Sequence, residues 1–275
     1  MNRLSIEEKV RVVACLVEGN SLRATVRMTG THRGAIQKLL IDLGAACSAY
    51  QDKVFRNLKL TRLQCDEIWA FVGCKQKSVK TTQHMRDGWG SIWTWTALDA
   101  QPKLVPCWYV GTRDGGAAYH FIHDLKGRLA NRVQLTTDGH KPYLEAVEDA
   151  FGSEIDYATL EKIYGKAPEG GEVRYGPAQC MGAKRAVISG MPDYAHISTS
   201  FTERQNLTMR MSMRRFTRLT NAFSKKVENH EAAFALHFMH YNFARIHQTL
   251  RCTPAMEAKV SDHVWTIEEI VRLLP

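Results

Sequence analysis

From residue 63 onward the hydrophobic pattern changes period, and this change restricts the possible folds more than any single motif does. Residues 63–74 (LQCDEIWAFVGC), 91–100 (SIWTWTALDA) and 103–111 (KLVPCWYVG) are dense in Trp, Val, Ile and Tyr, with charged or turn-like segments between them. Such residues fit a pleated, half-buried surface, so three successive antiparallel strands are expected. Helical spacing follows from about Gly115 to Ala130, then a short strand RVQLTTDG, a second helix from about Lys141 to Phe151, and a strand near IDYATLEKI. The order βββαβαβ is that of the RNase H-like fold, an α/β (α+β) architecture on a mixed five-stranded sheet.

The chain ahead of this domain reads as all-α. Ser5 and Glu8 form a capping-box pair, and Ile6, Val10, Val13 and Val17 carry an apolar stripe that ends near Gly19. Asn20 or Ser21 can cap a second helix, and Thr29, Gly30 and Thr31 make a turn before a third helix that stops at Gly44. Three short helices with a tight glycine turn suggest a helix-turn-helix. Its third helix would bury Ile36, Leu39 and Leu40, leaving His32, Arg33, Gln37 and Lys38 for a DNA groove and phosphates.

The expected organisation is a DNA-binding head over 1–45, a linking helix over 46–62, a catalytic domain over 63–224, and a C-terminal helical extension over 225–275. Residues 165–193 form a loop insertion, because Gly165, Gly170, Gly171, Gly176, Gly182 and Gly190 share the stretch with Pro168, Pro177 and Pro192. After it, FTERQNLTMRMSMRRF reads as one helix and Ser224 to about His247 as another, with Val227, Phe234, Phe238, Tyr241 and Ile246 on its apolar stripe.

With 44% hydrophobic residues in 275, the chain can bury a sizeable core, and no stretch approaches the length of a membrane span. The start lacks the apolar run of a signal peptide, so a cytoplasmic location is the default expectation. A net charge of +9 favours a polyanionic partner. The seven cysteines are odd in number and scattered, with no C-x-x-C, and read as reduced thiols.

Three carboxylates stand out by position: Asp66 in the first strand, Asp138 at the end of the fourth, and Glu203 in the first turn of the helix after the loop. Hard oxygen donors in such a trio suit a pair of Mg²⁺ or Mn²⁺ ions and phosphoryl transfer. Asn206 and Arg210 lie one and two turns beyond Glu203, with Arg204 and Arg214 as further cations for DNA. The alternative is that any chain this acidic yields some such triplet, and that the arginines merely solvate a helix. His230, His237, His240 and His247 along one helix read as a packed polar edge in preference to a metal site. Trp89, Trp93 and Trp95 read as core before they read as a platform for unpaired bases.

The segments CDEIWAFVG, TTDGHKPYLEA, ISTSFTERQNLTMRMSMRRFTRLTNAFSKK and HYNFARIHQTLRCTPAMEA resemble transposases of the first-described bacterial insertion-sequence family, over roughly residues 60–258. The E-R-x-N-x-x-x-R block with its downstream Y-N-F and T-P-A elements is the specific part. The resemblance implies a DDE transposase: Asp66, Asp138 and Glu203 ligate two Mg²⁺, Arg210 is the basic follower, and Asn206 and Tyr143 fall on motif positions. It implies cleavage at the element's ends and direct attack of the freed 3′-hydroxyl on target DNA. Partners would be the double-stranded terminal repeats and target, with a homo-oligomer assembled on paired ends. The cysteine-rich zinc segment that many members carry before their helix-turn-helix has no counterpart, so either helices alone recognise the ends or the head is a shortened one. Two other readings stand beside this one: a non-catalytic DNA-binding regulator, and a nuclease of the same fold that cuts without joining.

Overall fold

The computed structural model describes residues 4–81, 87–165, 180–217 and 220–275. Helix α1 (Ile6–Val17) begins at the capping box, Ser5 Oγ accepting from the Glu8 amide while the Glu8 carboxylate accepts from the Ser5 amide. Ser21 caps α2 (Leu22–Thr29), and Gly30, at φ +70°, supplies the left-handed turn that ends it.

Helix α3 (Arg33–Val54) departs from the sequence expectation: it does not stop at Gly44 but runs 22 residues, so the first half of the expected linking helix is its continuation. Gly44 serves a different purpose. A side chain there would stand 2.5 Å from the Ala232 Cα of α7 (Val227–Met239), and its absence lets the two helices touch.

The sheet has the order β3-β2-β1-β4-β5-β6. Strands β1 (Arg62–Val72), β2 (Gly90–Asp99) and β3 (Cys107–Gly111) are antiparallel neighbours, while β4 (Gln134–Thr137) runs parallel to β1 and β5 (Asp156–Tyr164) parallel to β4. Helices α4 (Gly115–Lys126) and α5 (Pro142–Phe151) make the crossovers. The mixed α/β architecture is therefore as the periodicity predicts, and compatible with an RNase H-like fold. The sheet has six strands where five were expected. Strand β6 (Cys180–Ser189) lies inside the stretch read as a loop and pairs antiparallel with β5. It is solvent-exposed along almost its whole length, so it needs no alternating apolar face, and Lys184 and Arg185 mark it as an edge. The remainder of the glycine- and proline-rich run, 166–179, lies outside the described residues.

Alternation along β1 divides the interior. Leu63 and Cys65 face Phe121 and Tyr143 of α4 and α5 in one core cluster, whereas Ile68, Ala70 and Val72 face Met209 and Phe238 in the other. The first cluster continues without a break into the head through Val12, Ile36 and Leu43, and into α9 (Ile267–Val271) through Ile270. The N-terminal helices and the sheet thus share one core. The Y-N-F element is part of the joint: Asn242, in a π-helical turn after α7, accepts from the Val105 amide and donates to the Val105 carbonyl, and the Tyr241 hydroxyl donates to the Lys103 carbonyl. The T-P-A element opens the short α8 (Pro254–Glu257), capped by Thr253. Among the described residues no helix is long and apolar enough to cross a membrane.

Candidate metal centre

Strands β1 and β4 are parallel and in register at Gln64 and Thr136. Asp66 and Asp138 each follow two residues later, so the fold brings Asp66, within β1, beside Asp138, just past the end of β4, although they are distant in sequence. One carboxylate oxygen from each of Asp66, Glu67 and Asp138 lies within 4.8 Å of the others. Asp138 is fixed in the turn after β4 by the His140 amide, which donates to its Oδ1 at 3.0 Å. Asp66 Oδ1 accepts from the Glu67 amide at 2.8 Å, and its Oδ2 accepts from Asn206 Nδ2 at 2.7 Å.

Glu67 was not anticipated. Its position continues the Leu63, Cys65 face of β1, where the pattern calls for an apolar side chain, and an acid at a core position was the available clue. It is buried, and neither carboxylate oxygen has a hydrogen-bond partner. Its nearest cation is Arg113, Nε at 3.6 Å, and the His140 ring nitrogen Nε2 lies at 3.8 Å. Arg113 also reaches Asp138 at 3.7 Å and packs over the Trp93 ring.

Burial and like charge push Asp66 and Glu67 up together. The Asp66 carboxyl rises to about 6, mainly through burial and then through the charges of Asp138 and Glu203, against the opposing hydrogen bonds from Glu67 and Asn206. The Glu67 carboxyl rises to about 8, mainly through burial and the charge of Asp138, with Arg113 opposing. His140 is lowered by burial and by Arg113. Orphaned carboxylate oxygens among converging hard donors are what a divalent cation relieves, so Asp66, Asp138 and Glu67 fit Mg²⁺ or Mn²⁺ by charge and donor type.

Helix α6 (Ser200–Ser212) approaches from the opposite face of β1. Its first amides, at Phe201 and Thr202, donate to Gln64 Oε1, so a strand side chain caps the helix and fixes its start. Thr202, Gln205, Asn206 and Met209 form its buried stripe. Glu203 stands at the edge of that stripe and outside the three-acid group among the described residues. Its carboxylate accepts from the Thr199 hydroxyl at 2.7 Å and pairs with Lys162 of β5. Of the expected trio, then, two members converge, Glu203 is tied to β5 close enough to raise Asp66, and Glu67 joins instead.

The remaining candidates fall in two places. Arg204, Arg210 and Arg214 are exposed on or just beyond α6, with Arg218 outside the described residues. In the head, Ile36, Leu39 and Leu40 are buried as expected, and Arg33 is exposed. His32 Nδ1 caps α3 by accepting from the Gly34 amide, and Lys38 pairs with Asp42 on its own helix, so both also have structural work. Tyr143 is fully buried, edge-on to Trp95. His230 hydrogen-bonds Ser224 and packs against Phe216 and Phe234. Compared with known proteins, the chain matches no family model, and no curated protein is significantly similar to it.

Proposed function

We propose that the chain is a DNA transposase, which cuts at the ends of an insertion element in a metal-dependent reaction and joins the freed 3′-hydroxyl to target DNA. The observation that carries this reading is the meeting of Asp66 and Asp138, with Glu67, where β1 runs on past the carboxyl end of its parallel neighbour β4 in this sheet order. Strand carboxyl ends of this kind are where such folds place reacting groups. Asp66, Asp138 and one of Glu67 or Glu203 would hold the metal. Divalent ions there supply activation of the attacking oxygen and neutralise charge on the leaving one.

The chain's own residues do the positioning. Asn206 orients Asp66, the His140 amide orients Asp138, and Arg113 balances charge between Glu67 and Asp138. Lys162 holds Glu203 beside the cluster, from which release of one ion pair would free its carboxylate. Arg210 on the same helix is an exposed cation for DNA phosphates.

The test is cleavage and joining of a labelled element end by the purified protein with Mg²⁺. We expect nicked and strand-transferred products from the wild type, none with EDTA, and none from Asp138→Asn, which loses a ligand without losing any phosphate-binding cation. Cleaved product without joined product would convert the assignment to a nuclease. End binding without either product would leave a DNA-binding regulator.

A further inference from the structure

A second concave surface lies at the other end of α6, outside the metal centre. The turn from α1 to α2, the N-terminal half of α3, residues 212–215 and 221–226, and the flank of α7 enclose a cleft of about 840 Å³. Arg23, Arg33, Arg214, Arg215, Lys225 and Lys226 line it, and among the described residues no Asp or Glu does. None of these cations forms an ion pair with a described carboxylate, although the chain pairs its arginines readily elsewhere, as at Arg128 and Arg132.

The wall supplies more than charge. Arg215 is half-buried and held by the Ser224 hydroxyl at 2.8 Å, a neutral acceptor that leaves its charge unbalanced. Burial brings its guanidinium down to about 10. Asn229 Oδ1 and His237 Nε2, from buried residues that also line the cleft, have no hydrogen-bond partner. Trp89 and Phe223 present half-exposed rings to the same space, and Lys225 lies 3.1 Å from the Phe223 ring centroid.

Unpaired cations that converge with aromatic rings are the chemistry of a single-stranded nucleic acid: phosphates meet the cations and unstacked bases meet the rings. A cleft of about 840 Å³ is of the size of a few nucleotide units. Glu203 and Ser212 lie on one helix, about 14 Å apart at its usual rise, which a short run of nucleotides spans. We propose that this cleft, built jointly by the head and the C-terminal helices, binds an unpaired DNA strand on its way to the carboxylate cluster. The assignment of the polymer as DNA rests on the function proposed above; the preference for an unpaired strand rests on the cleft alone. It revises the part played by Arg33 and Gln37, which face this composite cleft in place of a free groove-reading surface.

The test is fluorescence anisotropy of a labelled oligothymidylate with the full chain in EDTA, where cleavage cannot contribute. The variant Arg23→Gln/Lys226→Gln changes two exposed side chains, and Lys53→Gln/Lys59→Gln makes the same charge change away from the cleft. We expect the cleft variant to bind roughly tenfold more weakly, with a salt dependence shallower by about 0.7 log unit per cation removed, and the control to bind nearly as wild type. Lys226→Gln alone gives the same reading should the double variant unfold. Equal losses in both variants, duplex binding as tight as single-strand binding, or equal competition by polyglutamate would each overturn the proposal. Asp138→Asn must retain this binding. A wild type that binds the strand but never cleaves an element end speaks only against the catalytic reading, and binding unaffected by the cleft variant speaks only against this one.

Discussion

The carboxylate cluster meets α6 at Asn206 and the basic cleft takes up its C-terminal end; one gathers acids and the other cations, yet the chain treats them differently. The Glu67 side chain is 1% exposed, whereas Arg23, Arg33, Arg214, Lys225 and Lys226 are on the surface. Buried like charges cannot be screened, so Asp66 and Glu67 rise toward neutrality and the cluster is held at a cost to folding. Surface cations keep their charge at little cost, because water and salt ions accompany them until a polyanion displaces them. Depth therefore separates the two: properties of the acid end register in stability and pH, those of the basic end in salt dependence.

Glu67→Gln tests this contrast most strongly. The folded-state carboxyl, at about 8, holds a proton that the unfolded chain has released above its ordinary value of 4.5. The stability this confers is complete below the ordinary value and is lost as pH rises through 8. In metal-free buffer the wild type should lose on the order of 3 kcal/mol more than the glutamine variant between pH 5 and pH 9. Parallel profiles from denaturant titrations would mean that Glu67 is not buried against Asp138.

Asn206→Ala addresses the joint between α6 and the cluster. Its amide donates to Asp66 at 2.7 Å, and loss of a group that orients a metal-binding carboxylate lowers metal affinity or activity by about 10- to 100-fold. Mg²⁺ titration followed by thermal shift reads the change directly, and oligothymidylate binding should not move. A variant with unchanged Mg²⁺ affinity would make Asn206 a packing residue.

The smallest effect is expected at the wall between the regions. Gly44→Ala gains about 1 kcal/mol of helix propensity but places a methyl 2.5 Å from the Ala232 backbone, which no rotamer change relieves. A net loss of about 1 kcal/mol should follow, with weaker strand binding as α3 and α7 part. Wild-type stability would show that the helices do not touch there.

How much of this was legible in the sequence follows from where each feature keeps its information. Asp66 lies within, and Asp138 just past the end of, strands whose composition and period declare them, so both could be found without coordinates. Glu67 broke the apolar alternation of β1, and only the return of β4 beside it shows why an acid stands there. Strand β6 has no buried face and pairs through its backbone alone, which composition does not record. Gly44 looked like a helix stop, because a glycine that permits close contact and one that ends a helix are spelled alike. The six cleft cations come from the head, from the end of α6 and from the segment before α7, and no local motif contains them.

The unbroken α3 also bears on how such a chain can be rebuilt. A head with its own core can be cut off and grafted at a loop, but a boundary at residue 45 would sever this helix near its midpoint and strip the cover from α7. Exchanging the N-terminal helices for another set would mean exchanging the matching face of α7, and with it one wall of the cleft. Specificity and scaffold are then inherited as a single block, and engineering a new preference is better begun from side chains in the cleft than from whole-segment swaps.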